Sequence, residues 1–171
     1  MRLALVLPLL LAAACTDNAT KEESVQIFAA ASTAMSSAQA RAVADAQNGN
    51  LVAPAELVLD FSGPCTLGGR VALAGTYIGD GDHDRAVFDL QATFDGCREL
   101  TGTLDGGLRW ASVADGAGFA ASLEGGLDWE GKDGSASCDF DLEMTVTDSL
   151  VSYGGHLCGY DVRTELVLTG F

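Results

Sequence analysis

Basic residues are scarce in this chain: 9 Lys and Arg stand against 24 Asp and Glu, a formal net charge of −15 over 171 residues. A field of that sign repels nucleic acid and anionic headgroups, and no basic patch interrupts it, so nucleic acid is not an expected partner. Histidine is scarcer still, with His83 and His156 alone. No Gly-x-Ser-x-Gly elbow, H-E-x-x-H helix or phosphate-binding loop occurs, so the short motifs of serine hydrolases, zinc proteases and nucleotide binders are missing. The five cysteines contain no C-x-x-C pair and are widely spaced, which argues against zinc. The apolar run from Leu3 to Ala14 is too short for a membrane-spanning helix, which needs roughly 20 residues.

That run has the form of a secretory signal. Arg2 gives a short positive start, the apolar stretch follows, and small residues lead to a cysteine: Leu11-Ala12-Ala13-Ala14-Cys15. This segment resembles the lipobox of bacterial lipoproteins, with Leu11 one place further from the cysteine than the family prefers. The resemblance implies that residues 1–14 are a signal peptide removed on export. It implies that Cys15 becomes the first residue and carries fatty acyl chains such as palmitate on its thiol and its amine. Two or more chains make a stable anchor, where one is marginal. The expected location is the cell envelope, lipid-anchored to a bacterial membrane and facing the periplasm or the surface. The other reading is an ordinary signal peptide cut at an Ala-x-Ala site, which leaves Cys15 a free thiol. The resemblance covers only the first fifteen residues.

Removing Arg2 leaves 8 basic against 24 acidic residues in one domain's length of mature chain. Residues 15–20 read as a polar tether and 21–49 as an Ala-rich helix, spanning roughly Lys21 to Gln47. Acidic residues suit the N-terminus of this helix, and Asn48-Gly49 suits its end. One narrow face collects Phe28, Ala31, Met35, Ala38 and Ala42, with Val25, Ile27 and Ala34 beside it. A helix lying across a sheet is expected, and a partly helical stalk is the alternative.

From residue 55 to 171 the pattern alternates with period 2, punctuated by Gly and Asp, as an antiparallel β domain. Eight strands are predicted: 56–62, 70–79, 85–95, 100–113, 117–129, 136–147, 150–158 and 162–170. Opposed residues in a hairpin must share a face, which tests each register. A turn at Asp115-Gly116 sets Trp110 opposite Ala121, Leu108 opposite Leu123 and Gly106 opposite Gly125, with every apolar residue on one face. A loop at 80–83 sets Leu73 opposite Leu90 and Gly75 opposite Phe88. A loop at 131–134 sets Gly125 opposite Phe140 and Leu123 opposite Leu142. A turn at Thr147-Asp148-Ser149 sets Val146 opposite Leu150 and His156 opposite Phe140.

Cys65 lies nearly level with Cys97 in these registers, and Cys138 with Cys158. With Cys15 lipidated, the remaining four form two predicted disulfides, Cys65–Cys97 and Cys138–Cys158. The fold class is therefore all-β with one N-terminal helix: an antiparallel up-and-down meander of about eight strands in a strongly curved sheet. A closed barrel, a sandwich of two sheets, and an open sheet covered by the helix all satisfy the pattern.

Asp80, Asp82 and Asp84 alternate around Gly81 and His83, a pattern for a hard cation such as Ca²⁺. A hairpin loop explains the same composition, and the remaining EF-hand positions do not match. His156 reads as a packed structural histidine. Ser112 and Ser122 have no base partner in the sequence, and Asp139 with Asp141 reads as solvated surface. Trp110 and Trp129 lie on the apolar face, as core or as the lining of a ligand site. The sequence calls for no cofactor. The leading functional expectation is a non-enzymatic structural or interaction domain. The alternative is a carrier that holds a lipid or other apolar ligand between sheet and helix, with Trp110 and Trp129 as lining. A secreted hydrolase ranks third.

Overall fold

The computed structural model describes residues 19–47, 56–80, 85–100, 102–147 and 150–167. One helix, α1 (Lys21–Gln47), precedes eight strands: β1 (Glu56–Pro64), β2 (Arg70–Asp80), β3 (Arg85–Glu99), β4 (Gly102–Asp115), β5 (Gly118–Gly131), β6 (Gly134–Val146), β7 (Leu150–Leu157) and β8 (Tyr160–Val167). All eight belong to one antiparallel sheet in chain order, the meander that the alternation predicts. The sheet is open, with β1 and β8 at its two edges. It is neither a closed barrel nor a pair of packed sheets, because α1 covers part of the apolar face instead.

The helix starts on a capping box. The Thr20 N–H donates to the Glu23 carboxylate at 2.8 Å, and the Glu23 N–H donates to the Thr20 hydroxyl at 3.3 Å. Ile27, Ala30, Ala31, Ala34 and Ala38 are buried, so a row of mostly methyl groups lets the helix lie close to the sheet. Val25, expected beside this face, is instead exposed. Phe28 and Met35 are half-buried on the flank. The Ala19 N–H donates to the Ser137 carbonyl on β6, Phe28 stacks on Phe140 with ring centres 6.5 Å apart, and the Arg41 guanidinium reaches the Pro64 carbonyl on β1. The helix therefore crosses the strands from β6 to β1. It lies toward the end of the sheet that carries the β1–β2, β3–β4, β5–β6 and β7–β8 turns, here called the lower end.

The core follows from this crossing. Val71, Leu73, Ala92, Phe94, Leu104, Leu108, Leu127, Trp129, Cys138 and Phe140 are buried between α1 and the lower part of the sheet. Two glycines in mid-strand, Gly106 and Gly125, take φ of 121° and 137°. A side chain on either would run into a carbonyl of the neighbouring strand, Gly126 for the first and Gly107 for the second. Here the backbones approach as closely as paired glycines suggest.

The β5–β6 register is the expected one, with Gly125 opposite Phe140 and Leu123 opposite Leu142. The β4–β5 register is displaced by two residues: Trp110 faces Leu123, and Leu108 faces Gly125. Gly116-Ala117 makes the turn, because the Asp115 carboxylate accepts the Ala117 N–H at 2.8 Å while Asp115 itself pairs with Gly118. The β2–β3 register is displaced in the same way, with Leu73 opposite Ala92 and Gly75 opposite Leu90. That displacement sets Tyr77 against Phe88, ring centres 4.7 Å apart. Neither displacement changes which face a side chain occupies.

The β6–β7 register differs by one residue, and this does change faces. Leu157 stands opposite Phe140, and His156 stands opposite Asp141 on the polar side. The exchange places an aliphatic side chain in the core and leaves the imidazole in solvent. A bulge in β3, where Phe94 pairs with Gly106 but Cys97 pairs with Leu104, also inverts the alternation. It turns Cys97 inward to meet Cys65.

Both expected disulfides are present, Cys65–Cys97 and Cys138–Cys158. They fit an oxidising compartment outside the cytoplasm. Among the described residues, no helix is long and apolar enough to cross a membrane.

Candidate functional site

The helix covers only part of the apolar face, and the row of the sheet next to it becomes the floor of a groove. In register, Trp110, Leu123 and Leu142 form one row, and Ser112, Ala121, Met144 and Tyr153 form the next toward the upper end. Phe28, Ser32, Met35, Ser36 and Gln39 of α1 form the facing wall. With Trp110, Ala121, Leu123, Leu142, Met144 and Tyr153 this wall lines an open-sided cavity of about 310 Å³. The floor is aromatic, aliphatic and thioether surface. Three short polar side chains of the helix stand at its rim.

The groove exists because of two residue sizes on one helix. The alanines bring α1 down onto the sheet, while Phe28 and Met35 project sideways over the next row. Burial pushes the Tyr153 phenol above its usual pKa of 10.0, which marks this wall as poorly solvated. The described lining contains one ionisable carboxylate, Glu143, and no Lys or Arg.

The two tryptophans take different roles. Trp110 is part of the groove floor. Trp129, at 2% exposure, belongs to the core, and its indole lies over the bare backbone of Gly102 and Gly131. The expectation that Trp129 lines the ligand site is corrected by this wedge between glycines, well below the groove. Tyr153 was not legible as lining. In the expected β6–β7 register Tyr153 falls opposite Glu143, on the polar face, and the one-residue difference moves it inward.

Asp80 ends β2 opposite Arg85, while Asp82, His83 and Asp84 lie outside the described residues. Cys15 also lies outside them. His156 sits on the polar face with Nε2 2.9 Å from Asp161 and Nδ1 3.7 Å from Asp141. It is not packed in the core, because the β6–β7 register turns it outward. Asp139 and Asp141 are exposed on the same face, and Ser112 is buried. On β3 and β4, Arg109 makes a two-pronged ion pair with Asp89, at 2.9 and 2.7 Å, which holds the Asp89 carboxyl below its usual range.

Glu99 is buried beside the Cys65–Cys97 disulfide and accepts the Thr66 N–H at 2.7 Å. The two sulfurs are bonded to each other and are not thiolates, so this trio fixes the adjoining turns rather than holding a metal.

Compared with known proteins, the chain matches no protein-family model, no curated protein and no solved structure. Function is therefore read from the groove itself.

Proposed function

We propose that the protein is an exported lipoprotein, anchored through acyl chains on Cys15, whose domain holds an apolar ligand in the groove between α1 and the sheet. The observation that carries the ligand reading is the cavity of about 310 Å³ floored by Trp110, Leu123, Leu142, Met144 and Tyr153. That volume falls at the small end of the roughly 300–1,000 Å³ of ligand pockets and suits a small apolar group. That is a stretch of one acyl chain or a small ring system. The rim offers Ser32, Ser36 and Gln39 as hydrogen-bond partners but no described cation. This favours a neutral or cationic head over an anionic one. Support for the anchor is arithmetic: four of the five cysteines are used in disulfides, and Cys15 is the fifth.

Mass spectrometry of lipids extracted from the purified protein tests the ligand reading. The wild-type chain should carry an apolar molecule near one per protein. Ala121→Trp, which places an indole on the groove floor, should remove it while the protein stays folded. Two empty proteins, with no thermal shift on adding acyl chains, would reject the carrier. The anchor is tested by Cys15→Ser, which should move the protein from the membrane pellet to the soluble fraction.

The interaction reading is favoured by a different observation. The face away from α1 carries Asp105 opposite Asp128 and Glu124 opposite Asp141, like charges set side by side in solvent. Salt-sensitive capture of a polycationic peptide by a protein that binds no acyl chain would favour it over the carrier.

A further inference from the structure

We propose that the lower end of the sheet is a membrane-docking surface, with Leu67 and Leu100 as its contact points on the bilayer. The proposal rests on the anchor at Cys15 and is independent of the groove. Leu67 is 55% exposed and Leu100 is 52% exposed, on two turns that lie side by side. Those turns form one rigid piece. The Leu67 N–H donates to the Arg98 carbonyl at 3.0 Å, and the Arg98 N–H donates to the Gly68 carbonyl at 2.8 Å. The Cys65–Cys97 disulfide bolts them together, and the buried Glu99 carboxylate holds Thr66. Leu100 has φ of 50°, a left-handed conformation that turns usually give to Gly or Asn. A large apolar side chain is thus held in solvent by braced turns. Tyr160, 40% exposed, opens β8 beside the β7–β8 turn at the same end.

The chain's path names the occupant. Ala19 is buried and fixed to Ser137 on the lower part of β6. Cys15 is four residues earlier, and four extended residues reach at most about 14 Å. A lipid on Cys15 therefore leaves the domain close to this end, which brings the bilayer against these turns. Glu130 lines the hollow that Leu67 and Leu100 share, and the cations here are the Arg98 guanidinium, over Gly68 next to Leu67, and Lys132, exposed in the β5–β6 turn and paired with Asp133. Both can reach headgroup level while the leucines enter the acyl boundary. In this orientation the groove, on the upper side of α1, opens away from the membrane that holds the anchor.

The test is photo-crosslinking of the full chain in vesicles of phosphatidylethanolamine and phosphatidylcholine. A benzophenone amino acid replaces Leu67, Leu100 or, at the opposite end, Ala117. At least tenfold more phospholipid adduct at 67 and 100 than at 117 is expected. Equal or absent adducts at 67 and 100 overturn the docking surface. The mass of the N-terminal peptide reports the acyl chains on Cys15 separately. An unacylated chain with adducts at 67 and 100 refutes the anchor and keeps the docking surface. An acylated chain without them does the reverse. Leu67→Ser with Leu100→Ser, whose side chains are half in solvent and leave the core intact, should weaken the residual vesicle binding of the Cys15→Ser chain, too weak to hold it in a membrane pellet, about tenfold. Unchanged binding counts against the surface.

Discussion

Thr20 and Glu23 show how much one pair of residues decides. Their reciprocal hydrogen bonds start α1 immediately after Ala19 enters the core, so they fix where the helix begins on the sheet. Thr20→Ala should cost about 1 kcal/mol in chemical denaturation at neutral pH. The Thr20 N–H, then its hydroxyl, hold the Glu23 carboxyl below its ordinary value of 4.5. A depressed carboxylate contributes stability that is complete above its unfolded pKa and is lost as pH falls through the folded one. The difference between wild type and Thr20→Ala should therefore shrink as pH drops below about 4.5. A difference that grew in acid would contradict the assignment. The spacing of Thr20 and Glu23 is that of a capping box, a local signal that the sequence carries in full.

At the scale of elements, the chain's alternation was sufficient for all eight strands and their order, as the Ala-rich composition was for the helix and the cysteine positions were for both disulfides. It was insufficient for three registers, for a physical reason. A displacement of two residues leaves every side chain on its face, so hydrophobic pattern alone is blind to it. Only turn chemistry selects between such registers, as the Asp115 carboxylate does by capping Ala117. The one-residue difference at β6–β7 escaped because Ser152, Gly154 and Gly155 weaken the alternation of β7. That single step hid Tyr153 as a residue of the groove floor. The groove also depends on where α1 crosses the sheet, which no strand pattern encodes.

The disulfides give the elements their clearest test. They close loops with sequence separations of 32 and 20 residues, and chain entropy gives each about 3–4 kcal/mol. Cys138→Ser paired with Cys158→Ser should lower the melting temperature of the non-reduced protein by about 5–15 °C. An unchanged melt would remove that bond from the sources of stability. The Cys65–Cys97 pair should matter beyond stability, because it also braces the turns that carry Leu67 and Leu100.

For the whole molecule, one open sheet has three environments. The lower apolar face is filled by α1, the upper apolar face is walled by Phe28 and Met35 into a groove, and the opposite face is acidic and exposed. A sheet open at both edges does not bury its apolar face by closing on itself, so the helix is both the cover and one wall of the site. The central claim is that an apolar chain lies in that groove against Trp110. Its most direct test is tryptophan quenching by a brominated acyl chain in the wild-type protein and in Trp110→Phe. Saturable quenching in the wild type, nearly abolished in Trp110→Phe while Trp129 continues to emit, is the predicted result. Quenching that is absent, or that is equal in the two proteins, would contradict the claim.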